Sequence, residues 1–305
     1  MKQQILTLSL LAATLPALAQ ESIILPNLIE QGRHMPVLNE QTFGEDPYVI
    51  PPAPDGATQF GFEMKGYVLG LRMIRINYLG YETDTDYAAY TDLTTSGLGA
   101  LLKKLDIWSV TRGTIRSEGD LRPDFHVQQN TDKKNRRVEM NYDHDAQKVS
   151  VEIVPALGSQ GIPPAPPEER YSAFDTVSIL LQMARQGRIN QDDLCTGSVP
   201  VFDSKQRYNL RLEPVGIRRV KFLGDKQDAI HCHAYYEPVS GFDPEDLPSE
   251  EEASTPVNVY FDYVPEADLY VPMRFTYKIS GFTAVIKMTQ MTVIASDGTQ
   301  TIYGD

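Results

Sequence analysis

From Phe60 onward, runs rich in Val, Ile, Tyr and Thr are separated by Gly, Asp and Asn signals, a texture that predicts β-strands rather than helices. The first group covers residues 60–68, 71–81 and 83–93; residues 109–118, 123–131, 136–143 and 148–154 follow, with a turn expected at 143–147. Later strands are expected at 207–213, 215–223, 229–236, 257–263, 270–280 and 283–294. Tyrosines concentrate in the early strands (Tyr78, Tyr81, Tyr87, Tyr90) and again in the late ones, as sheet packing favours. Two stretches change to helical spacing. Residues 96–105 carry Leu98, Leu101, Leu102 and Leu105. Residues 175–186 are the stronger case: Asp175 can cap the start, Gly187 can end it, and Val177, Leu180, Leu181 and Ala184 form one apolar stripe. A lone amphipathic helix amid strands plugs the open side of a sheet, so these four residues are the candidates to line any ligand cavity beneath it. Strand–helix alternation is lacking, which argues against a doubly wound fold. The expected fold is mainly β: a curved antiparallel sheet or half-barrel with one main helix packed on it.

Ahead of this body the pattern differs. Lys2 is followed by an apolar run from Ile5 to Leu15, then Pro16 and the small-x-small sequence Ala17-Leu18-Ala19. Residues 1–19 therefore read as a cleavable signal peptide. The run is shorter than the roughly 20 apolar residues that span a bilayer. With no cysteine near the cut, lipid attachment there is not expected, and the product is expected to be a soluble periplasmic protein without a transmembrane segment. Residues 20–58, punctuated by Pro26, Pro36, Pro47, Pro51, Pro52 and Pro54, read as an extended N-terminal arm. Residues 59–305 read as a single β-rich domain, interrupted by a proline-bearing connector at 158–167 and an acidic, solvated loop at 243–256.

Charge narrows the partners. The chain carries 28 Lys+Arg against 41 Asp+Glu, and loss of the leader removes only Lys2. Such an acidic balance argues against nucleic-acid binding and against adhesion to anionic lipid headgroups. Two cysteines, Cys195 and Cys232, are an even pair in an exported chain and predict one disulfide; buried free thiols are the other reading, and the lack of a CxxC leaves a redox role weak. Of five histidines, His231 and His233 flank Cys232 and share one face of a strand. Two imidazoles need a third ligand to hold zinc, so they are weak metal candidates, and the plainer reading is strand histidines beside half a disulfide. No Gly-x-Ser-x-Gly, His-Glu-x-x-His or phosphate-binding loop is present. No catalytic residue and no cofactor is expected.

The ordered set of features resembles a family of exported bacterial proteins called domain-of-unknown-function 3108. The resemblance runs from about Phe60 to Val293. It includes the paired strands around GFEMKGYVLGLRMIRINYLGYE, then Gly119, Pro123 and Phe125 in the next strand pair, and the helix opened by Asp175 with Ser178, Leu180 and Leu181. PVFDSKQRYNLRL at 200–212 matches the family's Pro-Val-Phe-Asp-Gly-x-x-x-Tyr-x-Leu, with Ser204 in place of the usual glycine. The Cys195/Cys232 pair and the Tyr-x-Pro-x-x-Gly-Phe at 236–242 look like a Gram-negative subgroup. The resemblance implies a half-barrel wrapped on a helix, similar to periplasmic carriers that hold acyl chains on a concave apolar face. It implies a non-enzymatic protein that binds an apolar envelope ligand or a lipidated partner. The alternative is a structural or interaction protein of the envelope with a filled core and no ligand.

Overall fold

The structure is a computed structural model and describes residues 53–131, 135–188, 191–279 and 281–304. The expected signal peptide and all but the last residues of the expected arm lie outside the described residues. After Ala53 the chain turns into β1 (Thr58–Val68), and an antiparallel meander follows: β2 (Leu71–Glu82), β3 (Asp86–Thr95), β4 (Asp106–Ile115), β5 (Leu121–Asn130), β6 (Arg137–Asp143) and β7 (Lys148–Val154). A second meander comprises β8 (Ser198–Phe202), β9 (Arg207–Phe222), β10 (Asp225–Ser240), β11 (Val257–Val264), β12 (Leu269–Ile279) and β13 (Phe282–Ile294). β1 pairs with β13 from Gln59↔Ile294 to Val68↔Ala284, which zips the two meanders into one sheet, with β14 (Gln300–Tyr303) beside the far half of β13. Register shifts at Glu63/Met64, Arg112/Gly113, His231/Cys232 and Tyr260/Phe261 bend the strands and add to the curl of the sheet.

The sheet curls without closing. No ladder joins its outer strands β7 and β8 among the described residues. The segment between them fills the seam instead. It holds α2 (Pro167–Tyr171) and α3 (Ser178–Arg185), after the single-turn α1 (Gly99–Leu102) met earlier in the chain. Phe174 lies along β8: its amide donates to the Pro200 carbonyl at 2.9 Å, and its carbonyl accepts from the Phe202 amide at 2.8 Å. Val138, Met140 and Tyr142 of β6 meet Phe202 of β8 across Ala165 and Ala173. The proline-bearing connector is docked rather than loose. The Ile162 amide donates to the Phe242 carbonyl at 2.8 Å, and the backbones of Gly161 and Gly241 approach so closely that a Cβ at Gly161 would stand 2.1 Å from the Gly241 carbonyl carbon. Within the acidic loop, Ser249 and Glu252 form a reciprocal capping box on α4 (Glu250–Ser254).

α3 plugs the concave side, as its stripe requires. Val177, Ile179, Leu181, Met183 and Ala184 are buried in one large core with Phe60, Tyr78, Phe261, Val271 and Met291 from both meanders. The helix expected at 96–105 shrinks to α1, and the reason is visible: Leu101 and Leu102 are 81% and 77% exposed, so its stripe finds nothing to pack on. The strands expected at 207–213 and 215–223 are one strand, β9, which carries Pro214 through a bulge opposite Cys232.

Ser204, the residue where the resemblance leads one to expect glycine, has φ 92°, a conformation that only glycine adopts without strain. Ser204→Gly is expected to raise stability by about 1 kcal/mol, the order of the penalty for an L-residue with left-handed φ. Urea unfolding measures it, and a variant no more stable than the parent contradicts the strain.

Candidate functional site

Two features meet at α3: a buried polar cluster at its start and an apolar cleft along its flank. The cluster is built by register. Thr111 of β4 stands opposite His126 of β5, so both side chains point to the concave side at one level. Tyr87 of β3 reaches the same level. Asp175, just ahead of α3, receives the amides of Val177 and Ser178 on Oδ1, each at 2.9 Å. The Ser178 hydroxyl donates to its Oδ2 at 2.5 Å and the Thr111 hydroxyl at 2.9 Å. His126 Nδ1 stands 3.0 Å from Oδ1, close enough for an ion pair but off the line of a straight hydrogen bond. The Tyr87 hydroxyl completes the set, 2.8 Å from Ser178 Oγ. Asp175 and Ser178 are fully buried. Burial opposes ionisation of Asp175, but His126 and the hydrogen bonds from Ser178 outweigh it and hold the carboxyl down to about 2. Burial, and then the nearby Asp175, push the hydroxyls of Tyr87 and Tyr142 upward.

A serine, a histidine and an aspartate in one cluster invite comparison with a nucleophile relay. The order of contacts rejects it. Ser178 bonds to Asp175 rather than to His126, and the cluster is sealed from solvent, so it serves as an elaborate helix cap. At the other end of α3, Glu82 on β2 pairs with Arg185 at 2.5 Å and also with Arg188, while Arg185 donates to the Gly119 carbonyl and Arg188 to the carbonyls of Ala267 and Asp268. α3 is therefore tied at both ends, to the first meander and to the loop before β12.

The cleft lies between α3 and the concave faces of β1, β2 and β12. Its lining is apolar throughout: Phe60, Phe62 and Met64, with Leu180, Leu181 and Ala184 of the helix opposite Val271 and Phe275. Three of the four stripe residues line it, and Val177 is instead buried in the core. The free space is about 30 Å³. Tyr78 sits in the same lining, and its hydroxyl is buried without a hydrogen-bond partner among the described residues. That space is about the share of one water molecule in the liquid. A larger recess of about 340 Å³ opens beside β7, bordered by Val151, Ile153, Ala156, Gln160 and Arg170. Only one of these residues carries a charge, and Arg170 already donates Nε to the Ala165 carbonyl at 2.7 Å.

The cysteines and histidines fall into place on β10. Cys195, in a 3-10 turn after α3, is bridged to Cys232 with Cα atoms 5.4 Å apart, and both are buried. His231, on the opposite face, stacks on Tyr260 with 4.5 Å between ring centres and has Nε2 2.9 Å from Asn258 Oδ1. Burial lowers its proton affinity. His233 meets it edge to face at 5.3 Å. No group of three or more His, Cys, Asp or Glu side chains suited to a metal ion occurs among the described residues. Among the described residues, too, no helix is long and apolar enough to cross a membrane.

Comparison with known proteins adds no reaction. The family model described as "Protein of unknown function (DUF3108)" matches residues 63–284. No curated protein matches. Among solved structures, a β-barrel-like protein of domain of unknown function DUF1849 from Brucella abortus is similar over 78% of this chain and 97% of its own, at 11% identity and a TM-score of 0.42.

Proposed function

The chain belongs to the DUF3108 family, and from that premise we propose that it is a non-enzymatic periplasmic protein of the cell envelope, acting as a structural or interaction module with a filled core. One observation carries this reading: the apolar space beneath α3 amounts to about 30 Å³. Pockets that enclose small ligands measure about 300–1,000 Å³. The ties at both ends of α3 support the same reading, because they resist the outward movement that would enlarge the cleft. The leader-like start and the even cysteine pair support the periplasm. The wholly apolar lining favours a second reading, in which α3 swings away and the cleft takes an acyl chain from a lipid or a lipidated partner.

Native mass spectrometry of the mature protein purified from an envelope extract separates the two. The filled core predicts the bare polypeptide mass and no saturable uptake of a fluorescent acyl probe. A stoichiometric lipid adduct, or one probe bound per chain and lost when Ala184→Phe fills the cleft, overturns it in favour of the carrier.

A further inference from the structure

One end of the sheet is apolar and basic in a chain that is acidic overall. Three connections lie side by side there, because β12, β13, β1, β2, β3 and β4 are consecutive neighbours. They are the β12–β13 turn, the β1–β2 turn, and the β3–β4 connection that holds α1. Register fixes their contiguity. Val68 is paired with both Leu71 and Ala284, so Leu69 emerges beside Phe282. The Leu98 amide donates to the Arg72 carbonyl at 3.1 Å and the Ser96 amide to the Met73 carbonyl at 2.9 Å, which lays α1 against the start of β2. Gly97 and Gly99 permit this approach: a Cβ on Gly97 would stand 2.6 Å from the Arg72 carbonyl oxygen, and one on Gly99 2.0 Å from that of Met73. At the other end of the connection Leu105 is buried, and its carbonyl accepts from the Thr95 amide at 3.0 Å. The leucines of α1 are thus presented on a fixed turn.

What these connections expose is unlike the rest of the surface. Leu69, Leu71, Leu98, Leu101, Leu102 and Phe282 are six of the thirteen large apolar side chains exposed among the described residues. Their concentration at one end marks a contact surface, where leucines scattered singly would mark nothing. The charges around them are of one sign. Residues 68–73, 95–105 and 278–283 contain Arg72, Lys103, Lys104 and Lys278 and no Asp or Glu, although the whole chain has 41 acidic against 28 basic residues. All four basic residues are exposed, and none forms a salt bridge among the described residues. The acidic balance of the chain argues against adhesion to anionic lipid, but that balance is not uniform. The acidic loop opens from the same end, between β10 and β11, six strand spacings round the sheet from α1. At about 5 Å per spacing, this is well beyond the roughly 8 Å over which exposed charges act at physiological salt.

Apolar side chains that project among unpaired Lys and Arg match the two layers of a bilayer interface, acyl chains beneath phosphates. We propose that this end of the sheet docks on an anionic phospholipid bilayer, with Leu69, Leu98, Leu101, Leu102 and Phe282 entering the headgroup boundary and Arg72, Lys103, Lys104 and Lys278 meeting lipid phosphates. The surface lies outside the core, so the inference is independent of whether the cleft beneath α3 is filled.

Flotation of the mature protein with vesicles of equal parts phosphatidylglycerol and phosphatidylethanolamine tests this. The parent protein is expected to float with these vesicles, to float less as salt is raised, and to stay behind when the vesicles are phosphatidylcholine alone. The double variant Leu101→Gln, Leu102→Gln and the double variant Lys103→Gln, Lys104→Gln are each expected to lower the partition coefficient about tenfold. Their urea midpoints are expected to match that of the parent, because all four side chains are exposed. Ile302→Gln, which changes an exposed apolar residue on β14 beside the far end of β13, is expected to leave partitioning unchanged. A parent protein that does not float with the anionic vesicles overturns the proposal, and so do double variants that float as well as the parent. A leucine variant that alters only a monomer–dimer equilibrium in sedimentation velocity also overturns it, because the patch would then be a contact between copies of this chain.

Discussion

Asp175→Ala is expected to destabilise the protein by about 3–5 kcal/mol, the range for removing one partner from a buried charged network. The substitution strips the acceptor from the amides of Val177 and Ser178 and from the hydroxyls of Ser178 and Thr111, and leaves His126 facing a void. Each of these groups is buried, so none recovers a water partner. Asp175→Asn keeps one carbonyl oxygen for the two amides and is expected to lose about half as much. The acid dependence distinguishes charge from shape. The folded-state value of the carboxyl, about 2, lies below its ordinary 3.8. Its ionised form therefore stabilises the fold fully above pH 4, and that contribution is lost as pH falls through about 2. The shift corresponds to about 2 kcal/mol. Urea titrations of parent and Asp175→Asn at pH 7, 4 and 2.5 are expected to converge as the pH drops. A gap that stays constant with pH would show that the carboxylate's charge contributes nothing.

What the sequence conveyed about this region was the cap, not the cluster. Asp175 three positions ahead of Ser178 is a local signal. Thr111, His126 and Tyr87 are 64, 49 and 88 positions away along the chain, and only the pairing register brings them together. His126 accordingly carries no mark in the sequence beyond being a histidine in a strand. The same distinction runs through the fold. Long strands with six or more alternating positions were readable, and so was α3, because its stripe meets a complementary face. β8 and β14 were not, at 5 and 4 residues, and β8 contains Pro200. Residues 96–105 show the converse failure, since a stripe of leucines predicts a helix only if something packs on it. The volume of the cleft was beyond reach of pattern, because it depends on how Phe60, Tyr78 and Leu181 interdigitate. The stripe residues could name the wall but not the space behind it.

Removing the disulfide is expected to cost about 4 kcal/mol. Cys195 and Cys232 are 37 positions apart, and closing a loop of that size restricts the unfolded chain by about that amount in the chain-entropy model. Its place in the fold suggests why the bridge matters in the native state as well. It fastens the turn that follows α3 to β10, on the second meander, while Asp175 and Glu82 tie the same helix to the first. α3 is thus held against both halves of a sheet that does not close on itself. The double variant Cys195→Ala, Cys232→Ala isolates the effect, because a single substitution leaves a reactive thiol. Its urea midpoint is expected to fall with little change in slope, matching that of the parent protein refolded under reductant. Amide exchange at Leu181, Met183 and Ala184 should accelerate by more than that of β3 and β4, since the helix loses an anchor that those strands never used. Equal acceleration throughout would mean that the bridge acts on the unfolded chain alone, and two alkylatable thiols in the folded parent would mean that it does not form.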